Sequence, residues 1–233
     1  MSHFPLPAAP PPWQTLYDDG RLLAGRLAPL GPLANNLYLV AWLPSGTALA
    51  IDAPPGAAEA LPPLLRERRL ALGQIVLTHA HWDHTLDAPA LARATQAQIL
   101  AHALDTSALE SPQTRPPVAG TLPVPARVAR ALSEGDEIAA GAARLIVWHT
   151  PGHTPGSICL FLPQARLLFS GDTLFAGSYG RTDLPGGDAA QMVSSLRRLA
   201  ALPPATRVLP GHGPATTIGE EAWLAHLQPG ARP

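Results

Sequence analysis

Gln74-Ile75-Val76-Leu77-Thr78-His79-Ala80-His81-Trp82-Asp83-His84 is the stretch on which the reading of this chain turns. Its opening residues form a short apolar run of the buried-strand kind. That strand leads directly into three imidazoles and one carboxylate within six positions. Clustered imidazoles repel one another when protonated and cost desolvation when buried, and a divalent cation removes both penalties. Nine histidines are spread over 233 residues, so the chance expectation for such an HxHxDH string anywhere in the chain is roughly 6 × 10⁻⁴. Four residues merely satisfied in a turn is the weaker explanation. The stretch reads as a metal site.

Working outward, residues 37–43 and 47–52 are apolar runs split by Pro44-Ser45-Gly46, which predicts a β-hairpin. A helix is expected over 56–72 despite Pro62 and Pro63, a strand over 74–78, a helix over 88–96 and a strand over 98–102. Residues 105–127 carry prolines and few large apolar side chains and read as a long surface loop of the substrate-contact kind. The second half repeats the rhythm, with strands over 143–148, 157–162, 166–169 and 206–209. Asp188 with Gln191 is a helix-starting pair, followed by Met192, Leu196 and Leu199 at helical spacing. Thr217 with Glu220 predicts a last helix reaching Leu227. Strands followed by helices in both halves give a mixed α/β protein. Residues 1–13 are a proline-rich, irregular lead-in, and 14–233 are expected to form one domain.

Composition excludes other classes. Apolar residues make up 46% and charged residues 14%, with a net charge of −1. Such a chain buries a core and presents no basic field for nucleic acid or an anionic membrane. All 16 basic residues are arginine, so lysine is absent from every candidate mechanism. The single cysteine, Cys159, sits between Ile158 and Leu160 and reads as an inert core thiol. There is no basic, apolar leader and no run long enough to span a bilayer, so the expected location is the cytoplasm.

Three more strands run toward a candidate ligand beside a glycine: His153 after Gly152, Asp172 after Gly171 and His212 after Gly211. Glycine lets the backbone approach closely there.

Taken in order, THAHWDH, HTPGHTPGS, FSGDTLF and LPGHG resemble the motifs of the metallo-β-lactamase superfamily over residues 52–213. Gly177-Ser178-Tyr179-Gly180-Arg181-Thr182-Asp183 and the GHGPATTIGEE string from Gly211 are similar to the short bacterial branch of its glyoxalase II-like hydrolases. The resemblance implies an αββα sandwich of two mixed β-sheets flanked by helices, with metals at one edge. It implies that His79, His81 and His153 hold one divalent cation, that Asp83, His84 and His212 hold a second, and that Asp172 bridges both. Zinc heads the candidates, with iron or manganese also suited to the donors. Asp52 is implied to brace the metal loops, and His149 reads as a supporting residue, not a ligand. Arg181 and Tyr179 are the expected substrate contacts, with a structural turn braced through Asp183 as the alternative.

Two cations a few ångströms apart supply hydroxide near neutral pH, which Asp83 would orient. The expected reaction is hydrolysis of a small-molecule thioester of the S-2-hydroxyacylglutathione kind. About 20 residues follow His212, whereas long glyoxalase II enzymes add a helical domain that helps bind glutathione. Competing readings are a persulfide dioxygenase with one iron, a lactonase or β-lactamase, and a non-enzymatic metal-binding protein.

Overall fold

The computed structural model describes residues 11–112 and 124–227. The first sheet contains β1 (Trp13–Asp18), β2 (Leu22–Leu30), β3 (Asn35–Trp42), β4 (Thr47–Ile51), β5 (Ala71–Val76), β6 (Gln98–His102) and β7 (Arg130–Leu132), in that spatial order. Its first four strands run antiparallel as a meander, and β4 to β7 run parallel. Parallel neighbours need crossovers, and α1 (Ala57–Glu67) and α3 (Ala88–Thr95) supply two of them. Two shorter helices, α2 (Trp82–Thr85) and α4 (Thr106–Glu110), follow β5 and β6.

The second sheet begins with β8 (Glu137–Ala140), β9 (Ala143–His149), β10 (Ile158–Leu162) and β11 (Leu167–Gly171). A small hairpin follows, β12 (Leu174–Phe175) with β13 (Ser178–Tyr179), then α5 (Ala189–Leu199), β14 (Arg207–Pro210) and β15 (Thr216–Thr217). The spatial order is β15-β14-β11-β10-β9-β8, with β11 and β14 parallel.

Alternation along the strands explains the layers. Tyr38 and Val40 of β3 face the space between the sheets, where they meet Leu160, Leu167 and Phe169. Leu37, Leu39 and Ala41 face the other way, onto Leu61 and Leu65 of α1 and Leu91 of α3. On the second sheet, Cys159, Leu168 and Val208 turn outward onto Met192, Leu196 and Leu199 of α5. Each fully buried leucine contributes about 1.5–3 kcal/mol. Two helical faces and two sheets make an αββα sandwich, as expected.

Several boundaries differ from the sequence reading. The helix expected over 56–72 stops at Glu67, and β5 starts at Ala71, because Leu70 and Leu72 are needed in the sheet-side core. Strands β1, β2, β7 and β8 were not anticipated, and Trp13 already belongs to β1. The loop expected over 105–127 contains α4, and its residues 113–123 lie outside the described residues, as do residues 1–10 of the lead-in. The last helix is only a 3₁₀ stretch, Ala222–His226. There Thr216 and Thr217 pair with β14, and Glu221 turns inward to accept hydrogen bonds from Thr216 Oγ1 and the Gly177 amide. Among the described residues no helix is long and apolar enough to cross a membrane.

Candidate metal centre

The ends of β5, β9, β11 and β14 converge at one edge of the sandwich. His79 follows β5, and the single turn of α2 carries Asp83 and His84. His153 lies in the β9–β10 loop, Asp172 follows β11 and His212 follows β14. Close approach is built in at Gly211, where a Cβ would stand 2.5 Å from both Asp172 Oδ1 and His84 Cε1. Gly152, at φ +140, has no room for a Cβ against the Met192 backbone at the start of α5.

All seven expected ligands meet here. His79, His81 and His153 form one triad, His79, His84 and Asp172 a second, and Asp83, His84 and His212 a third, with donor atoms within 4.8 Å of one another in each. His84 Nε2 lies 3.1 Å from His212 Nε2 and 3.3 Å from oxygens of both Asp83 and Asp172. Asp172 Oδ2 is 3.6 Å from Nε2 of both His153 and His212, which places it between the outer triads.

The rings are oriented from outside. His153 Nδ1 donates to the Arg181 carbonyl at 2.8 Å, and His212 Nδ1 donates to the Leu33 carbonyl at 3.0 Å. His84 Nδ1 donates to Asp52 Oδ2 at 2.8 Å. Thr78 Oγ1 donates to the same carboxylate at 3.0 Å, so toward His79 Nδ1, 3.1 Å away, it acts as acceptor. Four imidazoles therefore commit Nδ1 to the protein and aim Nε2 inward, the arrangement of metal-ligating histidines. His79 Nε2, His153 Nε2 and Asp172 Oδ1 are buried with no hydrogen-bond partner. Orphaned acceptors converging in a buried space cost free energy unless a cation fills it. The residues fit a metal centre.

Electrostatics agree. Burial, then the neighbouring imidazoles, holds His79 well below the ordinary histidine range, and burial and His153 take His81 to about 4. Both are therefore neutral at physiological pH, the form that can hold a metal. Burial opposes charge on His84, but Asp172 and Asp52 outweigh it and raise its pKa well above the usual value. Burial likewise opposes ionisation of Asp83 and Asp172, and their imidazole partners outweigh it and keep both carboxyls below the ordinary range.

Asp52 reaches the cluster through His84 and Thr78. It sits in a left-handed conformation at φ 62, accepts from the Thr78 amide at 2.8 Å, and so ties β4 to the first ligand loop. His149 packs against the β9–β10 loop. Its ring stacks on His102 with centroids 4.0 Å apart, and its Nε2 lies 2.8 Å from the Pro155 carbonyl, in the loop that carries His153. Arg181 is exposed and held bidentately by Asp183 at 2.7 and 2.8 Å, so the bracing alternative describes its side chain, while its carbonyl fixes His153. Tyr179 packs toward Trp223, with ring centroids 6.0 Å apart, and is not on the wall of the adjoining cavity. Cys159 is buried, and burial pushes its thiol up to about 11, as befits an inert core residue.

Sequence reasoning missed two residues. Asn35 Nδ2 donates to Asp83 Oδ2 at 2.9 Å; its only signal was an Asn-Asn pair at the head of an apolar run. Asp105 is buried and accepts from the Ala80 amide (2.8 Å), Thr154 Oγ1 (2.8 Å) and the Gly156 amide (2.7 Å), joining the two ligand loops. A cavity of about 600 Å³ opens over the cluster, with His81, Asp83, His153, Asp172 and His212 lining one side.

An αββα sandwich with this donor set at its edge defines a metallo-hydrolase-type fold, and residues 30–212 match the metallo-beta-lactamase superfamily. The chain belongs to that superfamily. It is 36% identical over 204 residues to the probable metallo-hydrolase YqgX of Bacillus subtilis, covering 83% of this chain and 92% of that protein. It is 39% identical over 210 residues to a hydroxyacylglutathione hydrolase of Rhodobacter capsulatus, covering 88% of this chain and 72% of that one. Among solved structures, the BLEG-1 B3 metallo-beta-lactamase aligns with a TM-score of 0.76 at 34% identity, over 86% of this chain and 99% of that one. TTHA1623, solved in a di-iron-bound form, aligns with a TM-score of 0.67 at 39% identity, over 83% and 94%.

Proposed function

We propose that this metallo-hydrolase-family chain cleaves thioesters, with S-2-hydroxyacylglutathione-like molecules as the reference chemistry. The observation that carries the reading is the set of inward-turned Nε2 and carboxylate donors, held from outside and opening on a cavity of small-molecule size. In this reading His79, His81 and His153 hold one divalent cation, Asp83, His84 and His212 hold another, and Asp172 is shared. Zinc suits these nitrogen and oxygen donors, and iron and manganese suit them as well. When bound, such cations supply Lewis acidity, polarising a carbonyl and acidifying water near neutral pH.

The chain's own residues do the positioning. Asn35 fixes Asp83 by its Oδ2, so the carboxylate is held at the cavity wall, where it can orient the attacking water. Asp52 and Thr78 hold His84 and His79 in register, and the Arg181 carbonyl holds His153. The similarity to a hydroxyacylglutathione hydrolase supports thioesters as the substrate class. The test is thiol release from lactoylglutathione and a neutral thioester, beside a lactone, a β-lactam and a persulfide, with protein loaded with zinc, loaded with iron, or stripped by chelator. Thiol release restored by added metal is the expected result. Turnover confined to the lactone, β-lactam or persulfide would replace the reading.

A further inference from the structure

We propose that the cavity selects thioesters by an aliphatic segment on the substrate, and not by an ionic contact to a substrate carboxylate; this rests on the hydrolase reading above. The first observation is the wall. Beyond the ligand side chains the cavity is lined by Trp82, Leu86, Leu109, Val124, Ala126 and Leu184. The second is the rim. Leu33, Leu104 and Val124 are the exposed large apolar side chains among the described residues, at 51%, 58% and 53% exposure. Two of them, Leu33 and Val124, line this cavity. An exposed leucine alone says little, but exposed apolar side chains gathered at the mouth of a site mark a ligand surface.

The third observation is charge. Among the described residues lining the cavity, Arg181 is the one arginine, and its guanidinium is already paired on two oxygens of Asp183. An anionic arm of a substrate would have to compete for it. Asp83 and Asp172 are committed to the cations in this reading, and Asp105, which also lines the cavity, offers no partner to a carboxylate. The apolar wall, by contrast, gains from every methylene it covers.

The segment that forms the rim also orders the centre. The Leu33 carbonyl accepts the proton of His212 Nδ1, so the chain that meets the aliphatic group also aims a ligand. Recognition at the rim and geometry at the cluster are therefore coupled through one short turn between β2 and β3. The aliphatic group can sit on the acyl or the thiol side of the scissile bond, and two substrate series separate these.

The first series is acetyl, butanoyl and hexanoyl thioesters of N-acetylcysteamine, and the second is acetyl thioesters of ethanethiol, butanethiol and hexanethiol. Matched glutathione thioesters form the ionic arm. With metal-loaded protein, kcat/KM is expected to rise about four-fold per methylene in one series, given the usual worth of a buried CH₂. Calorimetric binding of uncleavable S-alkyl thioethers should show the same slope without any turnover. Val124→Asp and Leu33→Asp place charge on exposed rim positions and should cut the hexanoyl-to-acetyl ratio about ten-fold, while Val124→Ile and Leu33→Met keep it. Flat series in both turnover and binding overturn the inference, as does a ten-fold preference for the glutathione thioesters whatever the chain length. A binding slope with no thiol released from any substrate leaves the inference standing and removes the thioesterase reading.

Discussion

His79, His84, His153 and His212 each commit one ring nitrogen to the protein and turn the other inward, and that division of labour yields residue-scale predictions. Asp172→Ala should lose metal and activity together, because its carboxylate stands between both triads, whereas His149→Ala should cost about 10–100-fold at most. Equal losses in metal content and turnover would contradict the shared position of Asp172. Asp105→Asn should lower metal occupancy by a similar 10–100-fold, because an amide cannot accept from Ala80, Thr154 and Gly156 at once. Full occupancy in that variant would mean that the loops hold without it. The pH dependence follows from His84, whose pKa Asp172 and Asp52 raise against burial. Below that raised pKa the ring is protonated, and a cation must displace the proton, so metal affinity should climb as the pH rises above the ordinary histidine range. Metal titrations at fixed ionic strength would show it, and a pH-independent affinity would refute it. The ligands were legible in sequence because HxHxDH is dense and local. Asn35 and Asp105 were not, because their roles depend on partners 48 and 25 or more positions away.

Strand ends and helix starts set the next scale. Helix α1 is preceded by Gly56 in a left-handed conformation, and Asp87, from a segment 31 residues on, accepts from the Gly56 and Ala58 amides. Asp87→Ala should cost about 0.5–2 kcal/mol in denaturant unfolding, the usual range for a lost cap. Unchanged stability would show the cap to be idle. Elements with strong local periodicity were readable in advance: β3, β4, α3, β6 and α5 all stand within a residue or two of their expected spans. The short edge strands β1, β7 and β8 were not, since β7 and β8 run for only three and four residues and no residue of β1 is fully buried. The final helix failed for a physical reason. Its expected cap, Thr217, pairs with β14, and Glu221 is drawn inward by Thr216 and the Gly177 amide.

Across the whole molecule, two β-sheets from the two halves of the chain bring their strand ends to one edge, so the centre closes only when both halves are folded. The isolated bridge between Asn35 and His212 joins the two sheets at that edge. Metal bound there should therefore stabilise the sandwich as a unit. With cation at about a thousand times its dissociation constant the gain is about 4 kcal/mol, which for a chain of this size raises Tm by on the order of 10 °C. The most direct test of the central claim is the number of metal ions per chain, measured by elemental analysis on protein purified without chelator. Two ions per chain are predicted, lost together in Asp172→Ala. A stoichiometry of one that Asp83→Ala or His212→Ala leaves intact would contradict the two-cation centre.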